Sequence, residues 1–149
     1  MMKIVLGVLD TPHMEYLHGV PAKESDLTIG DLAEILESKY RIMQTFADMR
    51  KGEIAKAVKE AVALKIKAEI RGVKTPVNHL ERAFAGIEHS FKDFIATQQM
   101  DGRVAGVPTK ASLMGVNHRL KHPYASSNPV RPSFIDTGQY VASFKAWQP

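Results

Sequence analysis

The sequence predicts an α+β domain, with a small β-sheet pairing N- and C-terminal strands and packed against three to four helices. Three observations predict it. Lys3 to Leu9 is a short apolar run rich in β-formers. Residues 28 to 99 place their apolar side chains mostly at helical spacing. Near the other end, Tyr140, Ala142, Phe144 and Ala146 alternate with Val141, Ser143, Lys145 and Trp147, the period of a strand with one face more buried than the other. Strand-like ends around a helical middle put the helices on one face of a small sheet. At 149 residues the chain reads as one domain spanning 1–149, large enough for a substantial core.

The first run, Lys3-Ile-Val-Leu-Gly-Val-Leu9, is apolar on both faces and reads as a central strand closed by Asp10-Thr-Pro12. Residues 11 to about 27 read as a loop or arm, broken by Pro12, Gly19 and Pro21. His13, Met14, Tyr16, Leu17 and Val20 make it unusually apolar for a loop. Such a segment either packs back on the domain or reaches a partner.

Thr28 followed by Asp31 is a helix start, a capping residue with an acid three positions on. Leu32, Ile35, Leu36, Tyr40, Met43 and Phe46 or Ala47 continue it, and Gly52 is expected to break or kink it. A second helix is expected from Glu53 to Arg71, with Ile54, Ala57, Val58, Ala61, Leu64, Ala68 and Ile66 inward. Gly72 ends it and Pro76 reinforces the stop. A third, from Asn78 to Gln99, carries the stripe Leu80, Phe84, Ile87, Phe91, Phe94, Ile95. Thr109 to Leu120 reads as a short fourth helix interrupted by Gly115, and His122 to Pro129 as loop.

The stretch from Asn128 to Trp147 is the least generic in the chain. Pro129 and Pro132 frame an extended entry. Asp136-Thr137-Gly138 reads as a tight turn, in which Asp bonds the backbone two residues on and Gly supplies a positive φ. The residues after it read as a strand. A short helix capped by Asp136 or Thr137 is the rival, since Tyr140, Phe144 and Trp147 also fit helical spacing.

Composition narrows the chemistry. The absence of cysteine excludes disulfides, thiol catalysis and Cys-based zinc sites. Met1 to Leu9 lacks the long apolar core of a signal peptide. No stretch reaches the ~18 apolar residues of a spanning helix. The protein is therefore expected to be made in the cytoplasm and to stay off membranes. Net charge is +4, unevenly spread: residues 1–31 are acidic and 103–149 basic. That asymmetry suits head-to-tail contact between copies as well as nucleic acid.

Asp-Thr-Gly is also how aspartic proteases present their catalytic carboxylate, but that chemistry needs two such groups sharing a proton. Only eleven residues follow Gly138 and long helices precede it, too little for a flap and cleft. His118 and His122 are four apart, a spacing that places two metal ligands on a helix face. Arg119 stands where a catalytic Glu would, Pro123 ends any helix, and no third ligand is evident. Glu34 with Glu37, and Glu88 with Asp93, read as helix-surface carboxylates. Gly102 and Gly106 lack the Lys-Ser/Thr of a phosphate loop. Lys51, Lys56, Lys59, Lys65, Lys67, Arg71 and Lys74 make the second helix basic, but Glu53, Glu60 and Glu69 interrupt it and no aromatic sits there to stack bases. No cofactor or metal is expected.

Lys3 to Leu9, Arg131, Pro132, Phe134, Asp136 to Gly138 and Ser143 together resemble the tail-completion and tail-terminator (neck) proteins that join head to tail in tailed bacteriophages. Gly106-Val-Pro-Thr109 and Gly115-Val-Asn-His-Arg119 have the same flavour. The resemblance implies a non-enzymatic virion structural protein, made in the host cytoplasm. It would assemble as a homo-oligomeric ring through which DNA passes, touching connector, tail tube or sheath proteins and, non-specifically, DNA in the channel. Expected contact residues are Met14, Tyr16, Leu17, Arg131, Phe134, Asp136, Tyr140 and Trp147, aromatic residues and Arg being enriched at interface hot spots. Trp147 equally suits covering its own sheet. The alternative is a nucleic-acid-binding accessory protein using the basic helix and basic C-terminal region.

Overall fold

A computed structural model describes residues 2–74 and 78–149. The order is β1 (Val5–Val8), β2 (Pro12–Leu17), β3 (Val20–Thr28), α1 (Ile29–Tyr40), α2 (Ile42–Ile70), α3 (His79–Ala96), α4 (Lys110–Leu113), α5 (Gln139–Ala142) and β4 (Phe144–Trp147). The terminal strands pair as expected: β1 and β4 are antiparallel, from Val5 opposite Trp147 to Val8 opposite Phe144. The fold is α+β, with a second two-stranded sheet, β2 with β3, that the sequence reading missed.

The core is built where the sheet meets two antiparallel helices. Phe46, early in α2, packs against Phe91 and Phe94, late in α3, at 5.2 and 5.4 Å between ring centroids. Phe144 of β4 stacks on Phe91 at 3.8 Å. All four rings are fully buried. Aromatic pairs of this kind add about 0.5–1.5 kcal/mol each beyond their area. The α3 stripe behaves as read, with Ile87, Phe91, Phe94 and Ile95 buried and Leu80 and Phe84 packed beside them.

The start of α1 also matches. Asp31 N–H donates to Thr28 Oγ1 at 3.1 Å, and Thr28 N–H to Asp31 Oδ2 at 3.0 Å, a complete capping box. Asp10 adds to it by accepting from Gly30 N–H at 2.9 Å. The Thr28 side chain first, and the Gly30 N–H second, hold the Asp10 carboxyl below its ordinary pKa.

Several expectations are corrected. The segment 11–27 is not a loop but most of a hairpin, turning at His18 and Gly19, both at positive φ. Two such residues make the turn whose twist suits paired strands. β1 is half-buried and an edge strand rather than a central one. The helix break falls at Arg41, in the left-handed region at φ 51°, not at Gly52. Glu37 makes the break by accepting from the N–H groups of Met43 (2.8 Å) and Gln44 (3.0 Å), which caps α2 from the preceding helix. α2 then runs through Gly52 for 29 residues. An isolated glycine weakens a helix by only about 1 kcal/mol, and Phe46 and Val58 are buried on either side of it. Leu64 and Ile66, expected inward, are each 48% exposed. α2 ends at Ile70, one residue before Arg71 and two before Gly72; Pro76 lies outside the described residues. The fourth helix is one turn, Lys110–Leu113. After Gly138, at φ 84°, both readings hold in succession: one helical turn, Gln139–Ala142, then the strand. The turn is not capped by Asp136 or Thr137.

Candidate functional site

Between the hairpin, α1 and the Asp-Thr-Gly loop lies a cleft of about 730 Å³, within the range of sites that hold a small molecule or an inserted side chain. Its construction starts at Arg131, which is 8% exposed. The guanidinium Nε donates to the Val116 carbonyl and Nη1 to the Pro132 carbonyl at 3.0 Å. Nη2 lies 3.9 Å from Asp136 Oδ2. Burial lowers the Arg131 pKa, Asp136 pushes it back up and Arg119 lowers it; an arginine nonetheless stays charged.

Asp136 does not bond its own turn, as the sequence reading held. Its Oδ1 accepts from His118 N–H at 2.7 Å and its Oδ2 meets His118 Nδ1 at 2.5 Å. An ionised carboxylate can only accept, so Nδ1 carries the proton. On the other side of the ring, Nε2 and the Tyr124 hydroxyl share a hydrogen bond at 2.9 Å. The two rings meet edge-on at 90°. One carboxylate thereby ties residue 136 to residue 118 and, through the imidazole, to residue 124.

Phe134 holds φ at 69°, unusual for a bulky side chain. Its ring lies 5.1 Å from that of Tyr40 at the end of α1. Ser133 Oγ accepts from Thr109 N–H at 3.0 Å and contacts Ser112 Oγ at 3.0 Å. Gly115, at φ 69°, lies so close to the next strand of loop that a Cβ there would meet Asn128 O at 2.5 Å.

Gln139 ties the hairpin on. Its Oε1 accepts from Met14 N–H at 2.7 Å, and its Nε2 donates to Met14 O at 2.9 Å and to Thr137 Oγ1 at 2.8 Å. Tyr140, 3% exposed, lines the cleft with a hydroxyl that has no hydrogen-bond partner among the described residues. Burial first, and Glu37 second, push its ionisation far above the ordinary range, so at working pH it is a neutral group able to donate one hydrogen bond.

No family model, curated protein or solved structure matches the chain.

Of the residues singled out from the sequence, Tyr16, Leu17, Arg131, Phe134, Asp136 and Tyr140 all line this cleft, and Met14 is bonded at its rim through its backbone. Trp147 is elsewhere, its ring lying on Gly7 of its own sheet. His118 and His122 are not on a helix, and of the two it is His118 that lines the cleft. Among the described residues no group of three His, Asp or Glu is placed to hold a metal. Sequence reasoning missed Gln139, Tyr124 and Tyr40. Both oxygens of Asp136 are occupied by His118, and the imidazole Nε2 by Tyr124. The arrangement locks loops together and leaves a cleft lined mainly by apolar and aromatic side chains, with the buried Tyr140 hydroxyl in its wall.

Away from the cleft, the Lys and Glu side chains of α2 are interleaved on its exposed surface, and its far end exposes Leu64, Ile66 and Ile70. Among the described residues no helix is long and apolar enough to cross a membrane.

Proposed function

We propose that this chain is a structural subunit of a bacteriophage virion at the head–tail joint, as a neck, tail-terminator or tail-completion protein. It assembles into a ring through which DNA passes and catalyses no reaction. The observation that carries this reading is where the chemistry-bearing residues are spent. Arg131, Asp136, His118 and Gln139 all bond the protein's own loops and hairpin, as suits a part whose work is shape and contact. The segments that carry the resemblance are also joined in space, Lys3 to Leu9 entering β1 and Ser143 leading into β4. An exposed hairpin with Leu17, Val20 and Leu27 at its surface, and the apolar far end of α2, offer faces for neighbours.

The test is the mass of the purified protein by light scattering, alone and with short duplex DNA at two salt concentrations. The expected result is a closed oligomer of one mass, alone or on addition of a connector or tail-tube protein, with DNA making no difference. A species that stays monomeric and binds duplex DNA with steep salt dependence overturns it in favour of a nucleic-acid-binding role for the basic helix. A hydrolytic activity lost in a folded Asp136→Asn variant overturns it in favour of an enzyme.

A further inference from the structure

Among the described residues, each of the two sheets has one edge plugged by a side chain and one edge that no strand pairs. In the terminal sheet, Ala146 N–H donates to Glu88 Oε1 of α3 at 3.2 Å, and Lys145 pairs with the same carboxylate at 3.2 Å. Ala146 stands opposite Leu6. Because the Ala146 N–H points to Glu88, away from β1, this is a non-hydrogen-bonded pair of the antiparallel ladder. The Leu6 N–H and C=O therefore also point outward, from the far edge of β1, and so do those of Val8, two positions along the ladder. Among the described residues no strand pairs with that edge.

The hairpin repeats the arrangement. Met14 gives both backbone groups to Gln139, so β2 is the plugged edge. Met14 stands opposite Glu24. By the same geometry the Glu24 N–H and C=O point outward, from the far edge of β3. β3 is exposed along most of its nine residues.

The two open edges differ in character. β1 borders an apolar groove of about 350 Å³ in which Met2, Ile4 and Leu6 face Ile54 and Val58 of α2. Lys51 stands in that groove and Lys3 at the strand's start, both exposed. β3 carries Glu24 and Asp26, exposed, and the exposed apolar side chains Val20 and Leu27; its one cation, Lys23, is exposed too and pairs with Glu15 of its own hairpin at 3.4 Å, which leaves the strand net acidic. An open edge bonds a strand through its backbone, while side-chain pockets and charge choose which strand. Pairing β1 with β1, or β3 with β3, brings like charges together, which is destabilising. Pairing β3 with β1 brings opposite charges together.

We propose that the open β3 edge of one copy adds to the open β1 edge of the next, seating its apolar side chains on the groove over α2. The contact is head-to-tail, because two different surfaces meet, and such contacts close into rings when the rotation allows. The inference rests on the ring reading for the need to assemble, and adds which surfaces meet.

The chain has no cysteine, so engineered pairs report cleanly. Lys3→Cys and Glu24→Cys are made singly, mixed in equal amounts and oxidised. The expected result is a covalent dimer from the mixture, none from either variant alone, and a ladder of multimers from the double variant. A second arm reverses charge: Lys3→Glu with Lys51→Glu weakens assembly by about tenfold or more, and mixing with Glu24→Lys/Asp26→Lys restores it. Circular dichroism shows that each variant is folded. A closed oligomer with neither the 3–24 cross-link nor charge rescue overturns the inference and leaves the ring reading standing. A dimer linked 3 to 3 or 24 to 24 overturns it in favour of a two-fold contact. A protein monomeric at every concentration overturns both.

Discussion

Asp136→Ala removes the acceptor for two hydrogen bonds from His118, at 2.7 and 2.5 Å. Hydrogen bonds to a charged group contribute about 1.5–3 kcal/mol each when buried. Here both side chains are 33% exposed, and solvent screening lowers the pair to about 2 kcal/mol in total. The buried Arg131 guanidinium also loses its nearest carboxylate, 3.9 Å away, which adds about 1 kcal/mol while its two carbonyl partners remain. The expected loss is about 3 kcal/mol, or a melting temperature roughly 6–12 °C lower for a chain of this length. Asp136→Asn keeps one acceptor for the His118 N–H and should lose about half as much. The assay is thermal unfolding followed by circular dichroism at neutral pH. Adding Arg131→Met to Asp136→Ala measures their coupling, expected at about 0.5–1 kcal/mol. A melting point within about 2 °C of the parent for Asp136→Ala, or Asn costing more than Ala, refutes the view that this carboxylate holds the loops together.

Tyr140→Phe removes a buried hydroxyl that has no partner among the described residues, so stability should hold or rise by up to about 1 kcal/mol; a clear loss in denaturant unfolding contradicts the placement of that hydroxyl. Gly115→Ala sets a Cβ against Asn128 O at a φ of 69° and should lower stability by about 2 kcal/mol or more, read by the same unfolding curves. Asp10→Asn tests the charge at the α1 start. The folded pKa of Asp10 is lowered from 3.8, so its contribution is present above that value and is lost as pH falls through the lowered pKa. The melting-temperature gap between parent and variant should be open at pH 7 and close in acid below 3.8; a gap that widens in acid contradicts the sign.

What the sequence shows of this fold follows the range of the interactions. The capping box at Thr28 and Asp31 spans three positions, and the α3 stripe repeats every turn, so both are legible. The pairing of β1 with β4 is also legible, because two β-rich runs flank a helical middle and each needs an edge. The hairpin was hidden because its turn is His18-Gly19 rather than the Asn-Gly that signals such turns. The break at Arg41 was hidden because its cap is Glu37, reaching over from another helix. The cleft was half legible. Its residues stand out as aromatic, charged or framed by proline, but what they bond does not. His118 and Asp136 are 18 positions apart, and Met14 and Gln139 are 125 apart. No local pattern encodes such meetings.

The register of β1 with β4, Val5 opposite Trp147, also bears on the chain during synthesis. α2 and α3 are neighbours in sequence and can dock soon after they are made. β1 precedes the helices and waits for β4, which follows them all. Closing so long a loop is slow relative to local helix pairing. Until then the nascent chain carries an unpaired apolar strand and Phe46 and Phe91 without their lid, Phe144. β4 follows every helix in the chain, so the core is complete only once β4 pairs with β1 and sets Phe144 against Phe46 and Phe91.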